Sequence, residues 1–212
     1  MNWRKPAIFL SLYLSGSKIP CNLQVIKKLS GASKNEIKNF QDKKLEKILL
    51  HAYMNVPYYH RILPQSGVIS KSGKINLKNF SKINVLTKDI IRKEGRNLYS
   101  NDYKKRRPYF NTSGGSTGEP VKLIQDRHYS DWNIANKIFI KSVYGQEVGA
   151  REMRLWGSER DIIEGRESIK NIFRNWLYNR KDFNSFRFNK EKLLSCLEDW
   201  NRFKPGWVES YV

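Results

Sequence analysis

Residues 111–120 read Asn111-Thr112-Ser113-Gly114-Gly115-Ser116-Thr117-Gly118-Glu119-Pro120. They lie between Tyr109 to Thr112, which reads as extended, and Val121 to Ile124, a Val-Lys-Leu-Ile run that reads as a strand. Three glycines let the backbone approach a ligand closely and take positive φ. Successive N–H groups in such a turn form an anion nest. The hydroxyls of Thr112, Ser113, Ser116 and Thr117 add donors beside it. That is chemistry for holding phosphate oxygens. The Walker pattern fails, because Gly118 is followed by Glu119 and not by lysine. The dinucleotide fingerprint fails as well, because Ser116 stands where its second glycine belongs. A flexible Gly/Ser linker is a poor account, since a linker need not sit between extended segments or end in Gly-Glu-Pro-Val.

The elements on either side alternate. Upstream, Ser33 and Glu36 have capping-box spacing, and Ile37, Phe40, Leu45, Ile48, Leu49 and Ala52 follow at helical spacing. Pro57 should stop that helix. Residues 64–85 read as mixed loop, and Leu86 to Arg92 as a short helix capped by Thr87. Downstream, Tyr129 to Tyr144 reads as an amphipathic helix ended by Gly145, and Met153 to Trp156 as a short strand. Ile169 to Tyr178 and Lys190 to Phe203 read as helices, with a strand at Phe183 to Phe188 between them and another at Trp207 to Val212. This alternation implies an α/β fold with a partly parallel, mixed sheet and flanking helices. Trp176, Trp200 and Trp207 read as core.

Residues 1–34 read as a loosely apolar leader with breakers at Gly16 and Pro20. Arg4 and Lys5 before the run Ala7 to Leu14 imitate a signal peptide. The run is short for that purpose and no small-residue cleavage site follows, so a peripheral docking helix is the reading. No apolar run approaches the length of a membrane span. Among 212 residues, 40 Lys and Arg stand against 20 Asp and Glu, a formal net charge of +20. The lysines are scattered, and the tightest basic cluster is Lys104, Lys105, Arg106 and Arg107. A dispersed excess reads as a solvated surface and not as a polyanion site, and no nucleic-acid signature is present. Binding to duplex DNA should be non-specific and lost steeply with salt. Cys21 and Cys196 are too far apart in sequence for a disulfide framework or zinc spacing, and with three scattered histidines they argue against a metal site. A reducing cytoplasm fits.

The stretch 111–120 closely resembles the phosphate loop of the adenylate-forming enzymes, Thr-Ser-Gly-Ser-Thr-Gly-x-Pro. The doubled Gly114-Gly115 resembles the phenylacetate–CoA ligase-like branch, in particular its members of capsular polysaccharide biosynthesis. Other segments agree in order. Leu45 to Tyr59 resembles that branch's N-terminal helix and its exit. Ile83 to Asp89 is similar to its Ile-Pro-Val-Leu-Thr-Lys-Asp, with Asn84 in place of proline. Leu155 to Asp161 resembles the capsule-type segment after the first core strand. Phe203 to Tyr211 resembles a Lys-Pro…Gly-Tyr strand, with Glu209 in place of glycine. The likeness covers residues 35–212.

The resemblance implies the N-terminal half of the adenylate-forming large domain, with its phosphate loop at 112–120. It implies ATP with Mg2+, a carboxylate substrate, and CoA or another thiol, amine or hydroxyl acceptor. Thr112, Ser113, Gly114, Gly115, Ser116, Thr117 and Gly118 would hold the nucleotide phosphates. Lys122 would add a positive charge, or else be a solvated lysine. Trp132 is a candidate wall of the acyl pocket, and Trp156, Gly157 and Ser158 lie where α/β sheets place ligands; core packing is the alternative for both tryptophans. Glu159, Arg160 and Asp161 are either substrate contacts or an exposed turn. Family members are considerably longer. Their Tyr-Gly-x-Thr-Glu-like segment for magnesium and adenine, their ribose aspartate and the lysine of their mobile C-terminal domain have no match here. The expectation is therefore a chain that needs a missing C-terminal half, with an exposed final strand, and that forms no acyl-adenylate alone. A non-catalytic remnant or interaction protein is the alternative, and a basic nucleic-acid-binding protein a more distant one. No complete catalytic set can be named.

Overall fold

Ser33 and Glu36 show how local chemistry sets the first long element. The Ser33 hydroxyl accepts from the Glu36 N–H at 3.3 Å, and the Glu36 carboxylate accepts from the Ser33 N–H at 2.8 Å. This reciprocal box starts a helix over Lys34–Asn55, as the spacing predicts. Ser33→Ala should cost about 1 kcal/mol, read as a lower denaturation midpoint with an unchanged slope. The structure, a computed structural model, describes residues 2–70, 72–112, 120–155, 169–184 and 189–210. Its helices are α1 (Arg4–Leu14), α2 (Ile19–Ser30), α3 (Lys34–Asn55), α4 (Pro57–Gln65), α5 (Lys88–Glu94), α6 (Arg127–Val143), α7 (Ile169–Leu177) and α8 (Lys190–Phe203). The strands are β1 (Tyr109–Thr112), β2 (Lys122–Gln125), β3 (Glu152–Leu155), β4 (Arg180–Phe183) and β5 (Trp207–Ser210). The fold is thus a mixed α/β arrangement. Among the described residues no helix is long and apolar enough to cross a membrane.

The chain divides into two compact units, Val25–Asn133 and Met1–Gln24 with Ile134–Val212. In the first, Val56 takes an extended conformation before Pro57, so α3 ends there. Pro57 does more than stop that helix. It opens α4 at the position where its missing N–H is not needed. Leu49 of α3 packs with Leu63 of α4 and with Val68 and Ile69 beyond it. That apolar cluster is the centre of the unit. Residues 64–85 form the expected irregular stretch, pinned by a bridge between Ile69 and Ile75 and a short 3-10 turn at Leu77–Lys82. Thr87 caps α5 by accepting from the Ile90 N–H at 3.3 Å. β1 and β2 pair antiparallel.

In the second unit β4, β3 and β5 form a parallel sheet, in that order. Met153, at its centre, is fully buried. Where the sequence reading expected a leader with one peripheral helix, the N-terminal stretch forms two helices, α1 and α2. Gly16, at φ +66°, ends α1, and Pro20 lies inside the first turn of α2, where proline breaks nothing. α1 is fixed by the fully buried Ile8 and by Arg4, whose Nε donates to the Trp176 carbonyl at 3.4 Å. Gly149, at φ +84°, lets this happen: a Cβ there would lie 2.8 Å from the Cβ of Arg4.

Two further expectations are corrected. The strand predicted at Phe183 to Phe188 lies earlier, at Arg180–Phe183, and residues 185–188 fall outside the described residues. The aromatic run suggested the later register. Pairing with β3, which sets Arg180 opposite Glu152, decides for the earlier one. Trp176 and Trp200 are not core but 54% and 39% exposed. Trp176 belongs to a surface aromatic group with Trp3 and Phe173, whose ring centroids lie 5.8 and 5.6 Å away. α8 turns Cys196 inward and leaves Trp200 outside. Trp207 is half-buried.

Candidate functional site

The antiparallel register of β1 and β2 pairs Tyr109 with Gln125, Phe110 with Ile124, Asn111 with Leu123 and Thr112 with Lys122. The two ends of the glycine-rich segment are therefore register partners. Asn111 stiffens this end, its side-chain oxygen accepting from the Thr112 N–H at 2.9 Å and its amide donating to Gln125 at 3.3 Å. Val121, buried, anchors the return of the chain into β2, while Lys122 is exposed at the foot of the loop. Ser113, Gly114, Gly115, Ser116, Thr117 and Gly118 lie outside the described residues, as do Trp156, Gly157, Ser158 and the stretch Glu159 to Asp161. Trp132 is half-buried on α6, with the Lys44 ammonium 5.4 Å from its ring centroid and the His128 ring at 6.5 Å. The structure thus brings Thr112 and Lys122 together.

A cleft of about 480 Å³ lies beside this hairpin. Ile48, Val56, Leu98 and Leu123 contribute apolar walls, Tyr59, Tyr103 and Tyr129 aromatic ones, and His51, Ser100 and Arg106 a polar end. There His51 Nε2 lies 3.1 Å from Ser100 Oγ, and Ser100 donates to Asp102. Because Ser100 gives its proton to Asp102, a hydrogen bond between Ser100 and His51 Nε2 has the imidazole as donor. The chain of donors runs from His51 through Ser100 to Asp102. A serine nucleophile needs the opposite polarity, with the imidazole accepting the hydroxyl proton. The Ser100 hydrogen bond, and behind it Arg106, holds the Asp102 carboxyl below its usual range and makes it a weak base. Serine, histidine and aspartate here build a strut and not a triad.

Arg106 completes that strut. Its Nε donates to Asp102 at 2.8 Å, and a second nitrogen reaches Asp126 at 3.4 Å. Asp126 directly follows β2, and its other oxygen accepts from the Tyr129 N–H at 2.8 Å, capping the first turn of α6. The basic run Lys104 to Arg107 is therefore not wholly solvated surface. One member ties the chain before β1 to the chain after β2 and holds the base of the hairpin.

The second unit contains an arrangement that the sequence reading missed. In the parallel sheet Glu152 stands opposite Arg180, and Arg154 between Asp182 and Glu209. These five side chains alternate with Met153, Lys181 and Val208, so one face of the sheet carries five charges with Trp207 beside them. From α6, Lys137 pairs with Glu209, and Lys141 with both Glu152 and Glu209, the latter at 3.0 Å. Arg180 contacts Asp182 at 3.3 Å. Burial alone would raise the Glu209 carboxyl, but hydrogen bonds from Lys137 and Lys141 outweigh it and hold it at about 2. Burial pushes the Arg180 guanidinium down, and the nearby charges of Arg154 and Arg174 add to this. The available signal was the i, i+2 spacing of Glu152 with Arg154 and of Arg180 with Asp182. On an isolated strand that reads as a solvated face, and it becomes unusual only when two such strands align with Glu209 of β5 under a helix.

Among the described residues no group of three or more His, Cys, Asp or Glu is placed to hold a metal ion. Cys21 is exposed and Cys196 buried, both as free thiols. No family model matches the chain, and no curated protein matches it.

Proposed function

We propose that this chain supplies the phosphate-holding part of an ATP-dependent carboxylate activation, with the acyl group then passed to CoA or another acceptor. The reading rests on its resemblance to the phenylacetate–CoA ligase-like adenylate-forming enzymes, and surface-polysaccharide assembly in the cytoplasm is the setting that this resemblance suggests. The observation that carries it is the pairing of Thr112 with Lys122, the described residues on either side of the Gly114–Gly118 motif. A loop closed in this way loses less conformational freedom when it wraps an anion. In the reaction a carboxylate oxygen bonds to the α-phosphorus, the bond to pyrophosphate breaks, and negative charge moves onto the leaving group. The backbone N–H groups and hydroxyls of the loop would receive that charge, with magnesium arriving as part of the nucleotide substrate. Lys122, an exposed cation that pairs with Thr112, would add to this.

The test is calorimetric titration of MgATP into the chain and two variants. Gly115→Val puts a side chain where the backbone must approach phosphate and should abolish measurable binding. Thr117→Ala should weaken binding by about 1–3 kcal/mol through one lost charge-assisted hydrogen bond. Carboxylate-dependent pyrophosphate release, measured across a panel of acids with any complementing half of the enzyme supplied, should fall in parallel. Unchanged MgATP affinity in both variants would place the phosphate site elsewhere.

A further inference from the structure

Trp3 and, within α1, Pro6, Leu10, Tyr13 and Leu14 recur at spacings of three and four, which puts them along one side of the helix. Ile8, on the opposite side, is the residue that α1 buries. The stripe is open to solvent: Tyr13 and Leu14 are each 76% exposed, and Trp3 and Leu10 are more than half exposed. An ordinary surface helix turns such a stripe inward and a polar face outward.

α7 continues this surface. Its apolar side carries Ile172, Phe173 and Trp176, all more than half exposed, while Leu177 is buried. The Trp176 ring centroid lies 5.8 Å from that of Trp3 and 5.6 Å from that of Phe173, so the two helices share one aromatic-rich face. Arg4 fastens the seam. Its guanidinium stands 4.7 Å from the Trp3 ring centroid and 6.0 Å from that of Trp176, while its Nε donates to the Trp176 carbonyl. An exposed apolar face of this extent marks a contact surface.

Charge indicates what it contacts. α8 also exposes apolar residues, Leu193, Leu194 and Leu197, but its sequence sets Glu191, Glu198 and Asp199 among them. α1 and α7 hold Arg4, Lys5, Lys170 and Arg174 and no Asp or Glu. Glu147 pairs with Lys5 and cancels that one lysine. Arg4 bonds a neutral carbonyl, which leaves its charge uncancelled. Tryptophan, tyrosine and leucine on a basic, acid-free face are the composition of a helix that lies in a membrane interface, where aromatic rings sit at the headgroup level and anionic lipids repel carboxylates.

We propose that this face docks on an anionic lipid bilayer, with Trp3, Leu10, Tyr13, Leu14, Phe173 and Trp176 entering the headgroup layer and the positive potential of the two acid-free helices drawing them to the lipid phosphates. Docking is in the plane of the membrane, since no described helix is long and apolar enough to cross it. The proposal does not rest on the reading of the glycine-rich loop.

Vesicles of phosphatidylcholine with equimolar phosphatidylglycerol are the probe, with pure phosphatidylcholine vesicles as the neutral arm, and co-sedimentation of the full chain is the readout. Binding should be much tighter to the anionic vesicles and should weaken as salt rises. Lipids brominated in their upper acyl chains should quench Trp3 and Trp176, so replacing both by phenylalanine should remove most of the quenching and Trp207→Phe little of it. Tyr13→Glu, at an open position, should weaken vesicle binding about tenfold with an unchanged melting temperature. Leu197→Glu, on α8, is the matched control and should bind as the parent does. The proposal is overturned by equal binding to neutral vesicles, by equal losses in Tyr13→Glu and Leu197→Glu, or by quenching that does not depend on Trp3 and Trp176. A concentration-dependent dimer that Tyr13→Glu abolishes would also overturn it, by assigning the face to a second copy of the chain.

Discussion

Glu209→Gln should lower the stability of the chain by about 2 kcal/mol at pH 7. Breaking a deeply buried ion pair costs about 3–5 kcal/mol and an exposed one under about 1. Glu209, with 19% of its side chain exposed and Lys137, Lys141 and Arg154 around it, falls between these limits. The pH dependence distinguishes lost charge from lost packing. The Glu209 carboxyl titrates at about 2 in the folded chain, against 4.5 for an ordinary glutamate. Below pH 4.5 the unfolded chain takes up a proton that the folded chain does not. The contribution is complete above pH 4.5 and is lost as the pH falls towards 2. Denaturant midpoints for the parent and Glu209→Gln should therefore lie far apart at pH 7 and draw together near pH 3. A gap of equal size at both values would show that the ionised carboxylate is not what holds this face together.

Leu63→Ala should cost about 3 kcal/mol, within the usual range of about 2–5 for a buried leucine truncated to alanine. Leu63 is fully buried at the centre of the cluster with Leu49, Val68 and Ile69. The cavity has consequences at the nearby cleft, because Leu49 lies on the same helix as His51 and Asn55. Loosening α3 should lengthen the contact between His51 and Ser100, which imidazole NMR shifts would report. Val85→Ala, at a position 81% exposed, is the matched control and should move stability by under about 0.5 kcal/mol. Equal effects of the two substitutions would show that the Leu63 cluster is not the core of its unit.

Legibility along the chain followed the range of the interactions. Ser33, Glu36 and Thr87 announce helix starts because a cap is made with residues three positions away. Lys190–Phe203 and Tyr109–Thr112 were readable for the same reason, through periodicity and flanking turn residues. The glycine-rich motif stands out in the sequence because the chemistry proposed for it would lie in consecutive backbone groups. The strand around Arg180 was misread because local aromatic content favoured Phe183 to Phe188, while the partner strand rewarded an earlier register. Trp176 was misread as core because hydrophobicity does not say whether an aromatic group closes an interior or sits at its edge.

By itself the sequence determined the helix starts at Ser33 and Thr87 and the order of elements from Tyr109 onward, since each depends on neighbours along the chain. Only the tertiary structure decided that Arg106 braces the hairpin and not the solvent, through Asp102 and Asp126. It also decided that Glu152, Arg154, Arg180, Asp182 and Glu209 share one face. Those partners are brought together by strand register and helix packing. A charge has no meaning for a site until the fold chooses what stands 3 to 4 Å from it, because the energy of a pair falls with distance and rises with burial.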